Sequence, residues 1–336
     1  MLVEGRGSRS IDGVSWVSTL LVRWTWIWCV QLAYCYTRHT DVLTGACVLG
    51  TRLSTAQLKQ ALVTDLASGL LPVAVIASMA TQDGASDCVA DIHAALSSTC
   101  DGGDANSIMP WLHGDAGPTG VFASCPEHAG FPRRADLADS MAVDTSGLLA
   151  ASSATALWAS TPAKGAALLA EGDAAHVSVE LWAVMQSLGV SGIRRRVRSV
   201  IVASDWLANS IRSHPRFTLH RVALGNVALF ALPPGGSTTT TRANEVSPQV
   251  EALVPRLHAW LKARRFADGH VSVSAVAIPT AHTPFSAALA TGTAGGDTVT
   301  ALCVKFGASL CVAGGSFSEG LNVARGIWSC LSCEAE

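Results

Sequence analysis

An α/β fold, a mostly parallel sheet followed by a smaller α+β unit, is predicted for this chain by three observations. Residues 53–113 alternate helix-patterned and strand-patterned segments, the order that builds parallel sheets. Two further strand runs, His270–Ile278 and Thr298–Phe306, follow a long helix near the C-terminus. Between these regions lies the run Gly235-Gly236-Ser237-Thr238-Thr239-Thr240-Thr241, which reads as a connector.

The elements follow in order. Ser54 or Thr55 caps a helix that places Leu58, Ala61, Leu62 and Leu66 on one face, and Gly69 stops it. Leu71–Ala77 is an unbroken apolar run that suits a strand buried on both faces. Asp83-Gly84 turns the chain into a second helix near Asp87–Leu96. After the polar stretch Ser97–Ser107, a short strand covers Ile108–His113. Asp115 lies just beyond its carboxyl end, where parallel sheets place their ligands. A helix from Val177 to about Leu188 ends at Gly189, and a long amphipathic helix spans Ser191–Ser213. A strand at Asn226–Leu232 stops at Pro233-Pro234, and a helix covers Pro248–Phe266. Four segments are expected: an atypical 1–45, a large unit over 46–233, a linker at 234–246, and a small unit over 247–336.

Composition narrows the function. Hydrophobic residues make up 49% of the 336, enough for a large core, and the formal net charge is only -2. That balance argues against a nucleic-acid binder, which would carry a basic stripe. Arg194-Arg195-Arg196-x-Arg198 is a local exception, read either as a phosphate or acidic-partner site or as the solvated face of a helix. The ten cysteines show no framework spacing and no secretory signal is evident, which points to a reduced, cytoplasmic protein. Cys330-x-x-Cys333 stands alone, without the second pair a zinc site needs. Val14–Tyr36 is apolar and long enough to cross a bilayer, but Arg23 at its middle argues against that. There is no Gly-x-Ser-x-Gly elbow and no phosphate loop containing a lysine.

Several motifs then occur in a telling order. Leu58-x-x-Ala61-Leu62 leads to Asp65-x-x-x-Gly69-Leu70-Leu71-Pro72, followed by Ala80-Thr81-Gln82, Gly84 and Asp87. Next come Trp111-Leu112-His113-Gly114-Asp115-Ala116, Cys125-Pro126-Glu127, Ala138-Asp139-Ser140, Leu181-Trp182 and His214-Pro215-Arg216-Phe217. This series, over roughly residues 50–310, resembles the group II pyridoxal-phosphate-dependent decarboxylases, which act on aromatic amino acids, histidine and glutamate. The run from Asp139 to Leu148 also looks like the pyridoxal-dependent decarboxylase domain-containing branch. The resemblance implies a partial fold-type I large domain with a small C-terminal α+β domain. It also implies pyridoxal 5'-phosphate as cofactor, an amino acid as substrate and a homo-oligomer. The N-terminal portion that family members carry has no counterpart in residues 1–45, so an N-terminally truncated chain is expected.

Decarboxylation leaves an electron pair on carbon, and the cofactor is the sink that accepts it. The resemblance places Asp115 against the pyridine nitrogen and Thr81, His113 and Ser146 around the cofactor. It places Gly147 at the position of the lysine that forms the Schiff base, and glycine has no amine. Only four lysines exist, Lys59, Lys164, Lys262 and Lys305. Lys59 sits on a helix's polar side, Lys164 in what reads as an exposed hairpin, and Lys262 and Lys305 in the small unit, so none is expected to substitute. The expectation is a catalytically degenerate decarboxylase fold; the alternatives are a soluble or membrane-tethered interaction protein, or an active enzyme whose gene model is incomplete.

Overall fold

The computed structural model describes the backbone of residues 2–6, 12–18 and 35–38. From residue 53 it describes 53–79, 84–100, 109–128, 134–145, 155–164, 174–238, 243–264, 271–279, 283–285, 298–307 and 317–332. Three strands come first: β1 (Leu2–Arg6), β2 (Asp12–Ser18) and β3 (Cys35–Arg38). Then follow α1 (Thr55–Ala67), β4 (Leu71–Ser78), α2 (Val89–Cys100), β5 (Trp111–Asp115), β6 (Ser140–Asp144) and β7 (Thr155–Ala159). The chain continues through α3 (Ala174–Arg212), β8 (Phe217–Ala223), β9 (Asn226–Ala231), α4 (Ala243–Ala263), β10 (Val271–Pro279), β11 (Thr298–Phe306) and α5 (Phe317–Ser332).

The first seven strands form one sheet in the order β1-β3-β2-β4-β5-β6-β7. Strands β2, β4, β5 and β6 run parallel, and β7 closes one edge antiparallel. The remaining four form a second, antiparallel sheet in the order β10-β11-β9-β8. The atypical N-terminal segment therefore contributes strands: Val14 and Ser15 of β2 pair with Leu71 and Pro72 of β4. Residues 19–34, most of the apolar stretch, lie outside the described residues. Among the described residues no helix is long and apolar enough to cross a membrane.

Local chemistry explains the elements around the site. Ser54 caps α1, its Oγ accepting from Gln57 N–H at 3.4 Å, and Gly69 leaves the helix at φ +76°. Leu58 and Leu62 pack that helix, with Ile92 and Leu96 of α2, onto Val75, Ala77 and Leu112 on one face of the parallel sheet. Asp87 ties the layer together: Oδ1 accepts from Leu53 N–H at 2.6 Å and Oδ2 from Ser78 N–H at 2.8 Å. The two helices expected at 177–213 form one element, α3, broken at Gly189 with φ 59° and ψ 176°. Beyond that break, Val197, Val200, Leu207 and Ile211 join the second sheet and Val323 and Ile327 of α5 in a separate core.

The basic cluster on α3 has a structural use. Arg194 donates from Nε to the Ser124 carbonyl at 2.7 Å, and Arg198 pairs with Glu127 at 2.7 Å. Two of its four arginines thus dock α3 onto the segment between β5 and β6.

Candidate functional site

One face of the parallel sheet is consumed by α1 and α2; the other carries the polar residues. Parallel partners in register project to the same face. Ser78 of β4 pairs with Asp115 of β5, and Asp115 with Ala142 of β6. Trp111, His113 and Asp115 therefore share a face with Ser140, Ala142 and Asp144, while Leu112 turns into the helix-packed core.

Asp115 ends β5 and is held by its neighbours on both sides. Its carbonyl accepts from Met79 N–H at 2.8 Å, and Ala116 N–H donates to the Ala142 carbonyl at 2.9 Å. The chain then turns sharply into a 3-10 segment, Gly117–Ser124, in which Gly117 has φ +46°. Gly120 permits close approach there, since a Cβ would lie 2.7 Å from Val143 Cγ2. The Asp115 side chain is buried, and its Oδ1 accepts from Gly117 N–H at 3.0 Å. Burial raises its pKa to about 6. The Gly117 N–H and the Lys305 charge oppose that rise, and Asp144 adds to it.

His113 lies two residues earlier on the same face. Its Nδ1 is hydrogen-bonded to Ser140 Oγ at 2.7 Å, and Ser140 Oγ also accepts from Trp111 Nε1 at 2.8 Å. Burial lowers the His113 pKa to about 4, so the ring is neutral at neutral pH. Ser140 is fully buried, which makes it a bracket for the histidine rather than an exposed nucleophile.

The other expected site residues, Thr81, Ser146 and Gly147, lie outside the described residues, as do His270, His282 and Cys333. Lys164 is placed away from Asp115. It forms an ion pair with Asp139, just before β6, and lies over the Trp111 ring at 5.7 Å. Both contacts are at the amino ends of their strands. Lys59 and Lys262 are exposed. Lys305 stands apart from the other three lysines. It is partly buried in β11, within electrostatic range of Asp144 and Asp115. The approach was hidden because Lys305 is 190 positions from Asp115 and no local pattern links them.

The donor set can be tested against a pyridoxal phosphate ring. Among the described residues, the Asp115 side chain has Gly117 N–H as its hydrogen-bond donor, at Oδ1. Oδ2 remains for one further donor, and a protonated ring nitrogen is such a donor. Buried and anionic, Asp115 suits a cationic partner. On this ground the residues present fit the group.

Comparison with known proteins follows the same line. Residues 48–164 match the family described as the pyridoxal-dependent decarboxylase conserved domain. No curated protein matches the chain in sequence. Among solved structures, Oryza sativa TDC with PLP and tryptamine aligns at TM-score 0.66 and 16% identity, covering 96% of this chain and 61% of that one. Catharanthus roseus tryptophan decarboxylase in complex with L-tryptophan aligns at TM-score 0.66 and 18% identity, covering 96% and 62%. Mouse CSAD in apo form aligns at 0.63 and 16%, covering 95% and 63%. The chain thus spans about three-fifths of the length of these structures. Residues 48–164 thus match the pyridoxal-dependent decarboxylase conserved domain, and the chain as a whole shares the fold of these solved decarboxylase structures.

Proposed function

We propose that this chain binds pyridoxal phosphate on the Asp115 face of its parallel sheet and does not turn over amino acids as a decarboxylase. When bound, the cofactor supplies an electron sink for the carbon that loses carboxylate. Asp115 is the residue toward the ring nitrogen, where its anion keeps a proton in place. His113, neutral and braced by Ser140, packs beside it. Thr81 and Ser146 offer hydroxyl donors from the segments that follow β4 and β6. The buried Asp115 carboxylate, at the carboxyl end of a parallel strand with one oxygen left for a ligand, carries this reading.

The absence of turnover follows from Gly147. Counting from Ala138-Asp139-Ser140, that glycine takes the place of the lysine that holds and releases the cofactor in active relatives. An amino acid would have no lysine of the loop to displace. A homo-oligomer remains the expected assembly, with amino acids as the class of small molecule the fold accommodates.

Titration with pyridoxal phosphate, followed by quenching of tryptophan fluorescence, tests the binding half. Saturable quenching is expected. Asp115→Asn should weaken it at least tenfold, because a hydrogen bond to a charged group contributes about 1.5–3 kcal/mol. Unchanged affinity in Asp115→Asn removes the basis for the site. Release of carbon dioxide from L-tryptophan and L-glutamate tests the other half, and release at the background rate is expected.

A further inference from the structure

The proposed site lacks an amine in its own loop, yet the fold brings one to it from another sheet. Lys305 is the penultimate residue of β11 and pairs with Asn226, the first residue of β9. The turn before Asn226 packs against α3 and against the segments that follow β4 and β5, and is tied to the end of β11. The Gly225 carbonyl accepts from Phe306 N–H at 2.8 Å. A Cβ on Gly225 would lie 2.4 Å from Val200 Cγ1 and 3.4 Å from Phe122 Cζ, and Phe122 belongs to the 3-10 segment that follows Asp115. A Cβ on Gly84, beyond the end of β4, would lie 3.2 Å from Ala223 Cβ and 3.7 Å from Asn226 Cβ. The hairpin beside Lys305 is therefore wedged against the segments that leave the carboxyl ends of β4 and β5. There Lys305 lies within electrostatic range of Asp144 and Asp115, which end β6 and β5.

The other lysines do not compete. Lys59 and Lys262 are exposed on α1 and α4. Lys164 is held by Asp139 at the opposite end of the strands, roughly 13 Å away along a five-residue strand rising about 3.3 Å per residue.

We propose that Lys305 supplies the amine missing from the loop after β6, and that it forms a covalent bond to the aldehyde of a pyridoxal phosphate seated on the Asp115 face. This inference rests on the cofactor-binding half of the reading above; the no-turnover half concerns the loop's own lysine and is tested separately by carbon dioxide release. Lys305 first gives its ammonium proton to solvent, a loss that its burial favours. The neutral Nζ then attacks the aldehyde carbon. A carbon–nitrogen bond forms and the carbonyl oxygen leaves as water with the two amine protons, so a carbon–nitrogen double bond replaces the carbon–oxygen one. No oxidant or reductant enters. The attachment point changes from a loop to a strand of the second sheet, while the partner of the ring nitrogen is kept.

The full chain is incubated with pyridoxal phosphate, reduced with borohydride, digested with trypsin and mapped by mass spectrometry. The expected result is one dominant pyridoxyl group, on Lys305, with loss of tryptic cleavage after that residue. Lys305→Arg keeps the charge but offers no amine for this bond, so it should cut the fixed label at least about tenfold. Thermal melts of Lys305→Arg and Lys305→Met establish that each variant is folded. If Lys305→Met alone melts cooperatively, it carries the comparison. Label spread over Lys59, Lys164 and Lys262, or unchanged in Lys305→Arg, overturns the assignment to Lys305 and leaves the binding reading standing. Absence of quenching in the unmodified chain overturns both.

Discussion

At the scale of single residues, the site is built from two groups that burial pushes in opposite directions. Asp115 has its pKa raised to about 6 from 3.8, and His113 has its lowered to about 4 from 6.5. Native Asp115 keeps a proton that the unfolded chain has lost, so its contribution to stability falls as pH rises from about 4 to 6. Native His113 refuses a proton that the unfolded chain takes up, so its contribution rises between about 4 and 6.5. Each is on the order of 3 kcal/mol, and the two nearly cancel in the native sequence. Melting temperatures measured from pH 4 to 7 should separate them. Asp115→Asn should leave a profile that climbs through this range, and His113→Gln one that descends. Asp115→Asn should also be the more stable protein at pH 7, having lost a buried charge. Variants with parallel profiles would contradict these assignments. The alternation Trp111, His113, Asp115 was legible because a strand repeats every two residues. The bracket on His113 was not, since Ser140 meets it only through pairing of strands 27 positions apart.

At the scale of elements, most helices and strands were legible because their periods and caps are local. Helix α1 starts at its capping Ser54, β4 occupies the apolar run, and α3 breaks at Gly189. A backbone at φ 59° and ψ 176° is open almost only to glycine. What locks these elements together was less visible. Asp87 stood in the sequence as the start of a helix, yet its carboxylate joins the start of α1 to the end of β4. Asp87→Ala leaves two buried N–H groups without that acceptor, each costing about 1–3 kcal/mol. Chemical denaturation should show a loss on the order of 3 kcal/mol with an unchanged slope, and a loss below about 0.5 kcal/mol would refute the clamp.

At the scale of the whole molecule, the two sheets meet where β8 and β9 turn, and that meeting brings Lys305 within electrostatic range of Asp115 and Asp144. The first half of α3, in contrast, is poorly covered. Val179, Trp182 and Met185 are 65%, 63% and 47% exposed and recur at helical spacing. An apolar stripe of this kind drives self-association. Sedimentation velocity should therefore show concentration-dependent association of the chain. Val179→Gln combined with Trp182→Gln should shift it toward monomer without lowering the melting temperature, and an unchanged distribution would assign the association to another surface.

Local patterns determined the order of many helices and strands, the ordered motifs that resemble a decarboxylase domain, the place of Asp115 near the carboxyl end of a strand, which the structure extends from His113 to Asp115 itself, and the glycine where the loop's lysine is expected. These are short-range properties, set by periodicity, capping and spacing within a few residues. Only the tertiary structure decided that Leu2–Arg6, Asp12–Ser18 and Cys35–Arg38 contribute strands to the sheet, that Arg194 and Arg198 serve as docking contacts, and that a lysine in the last strand comes within electrostatic range of the carboxylates of the first sheet. Those outcomes depend on how the two sheets pack, and packing joins residues that sequence distance keeps apart.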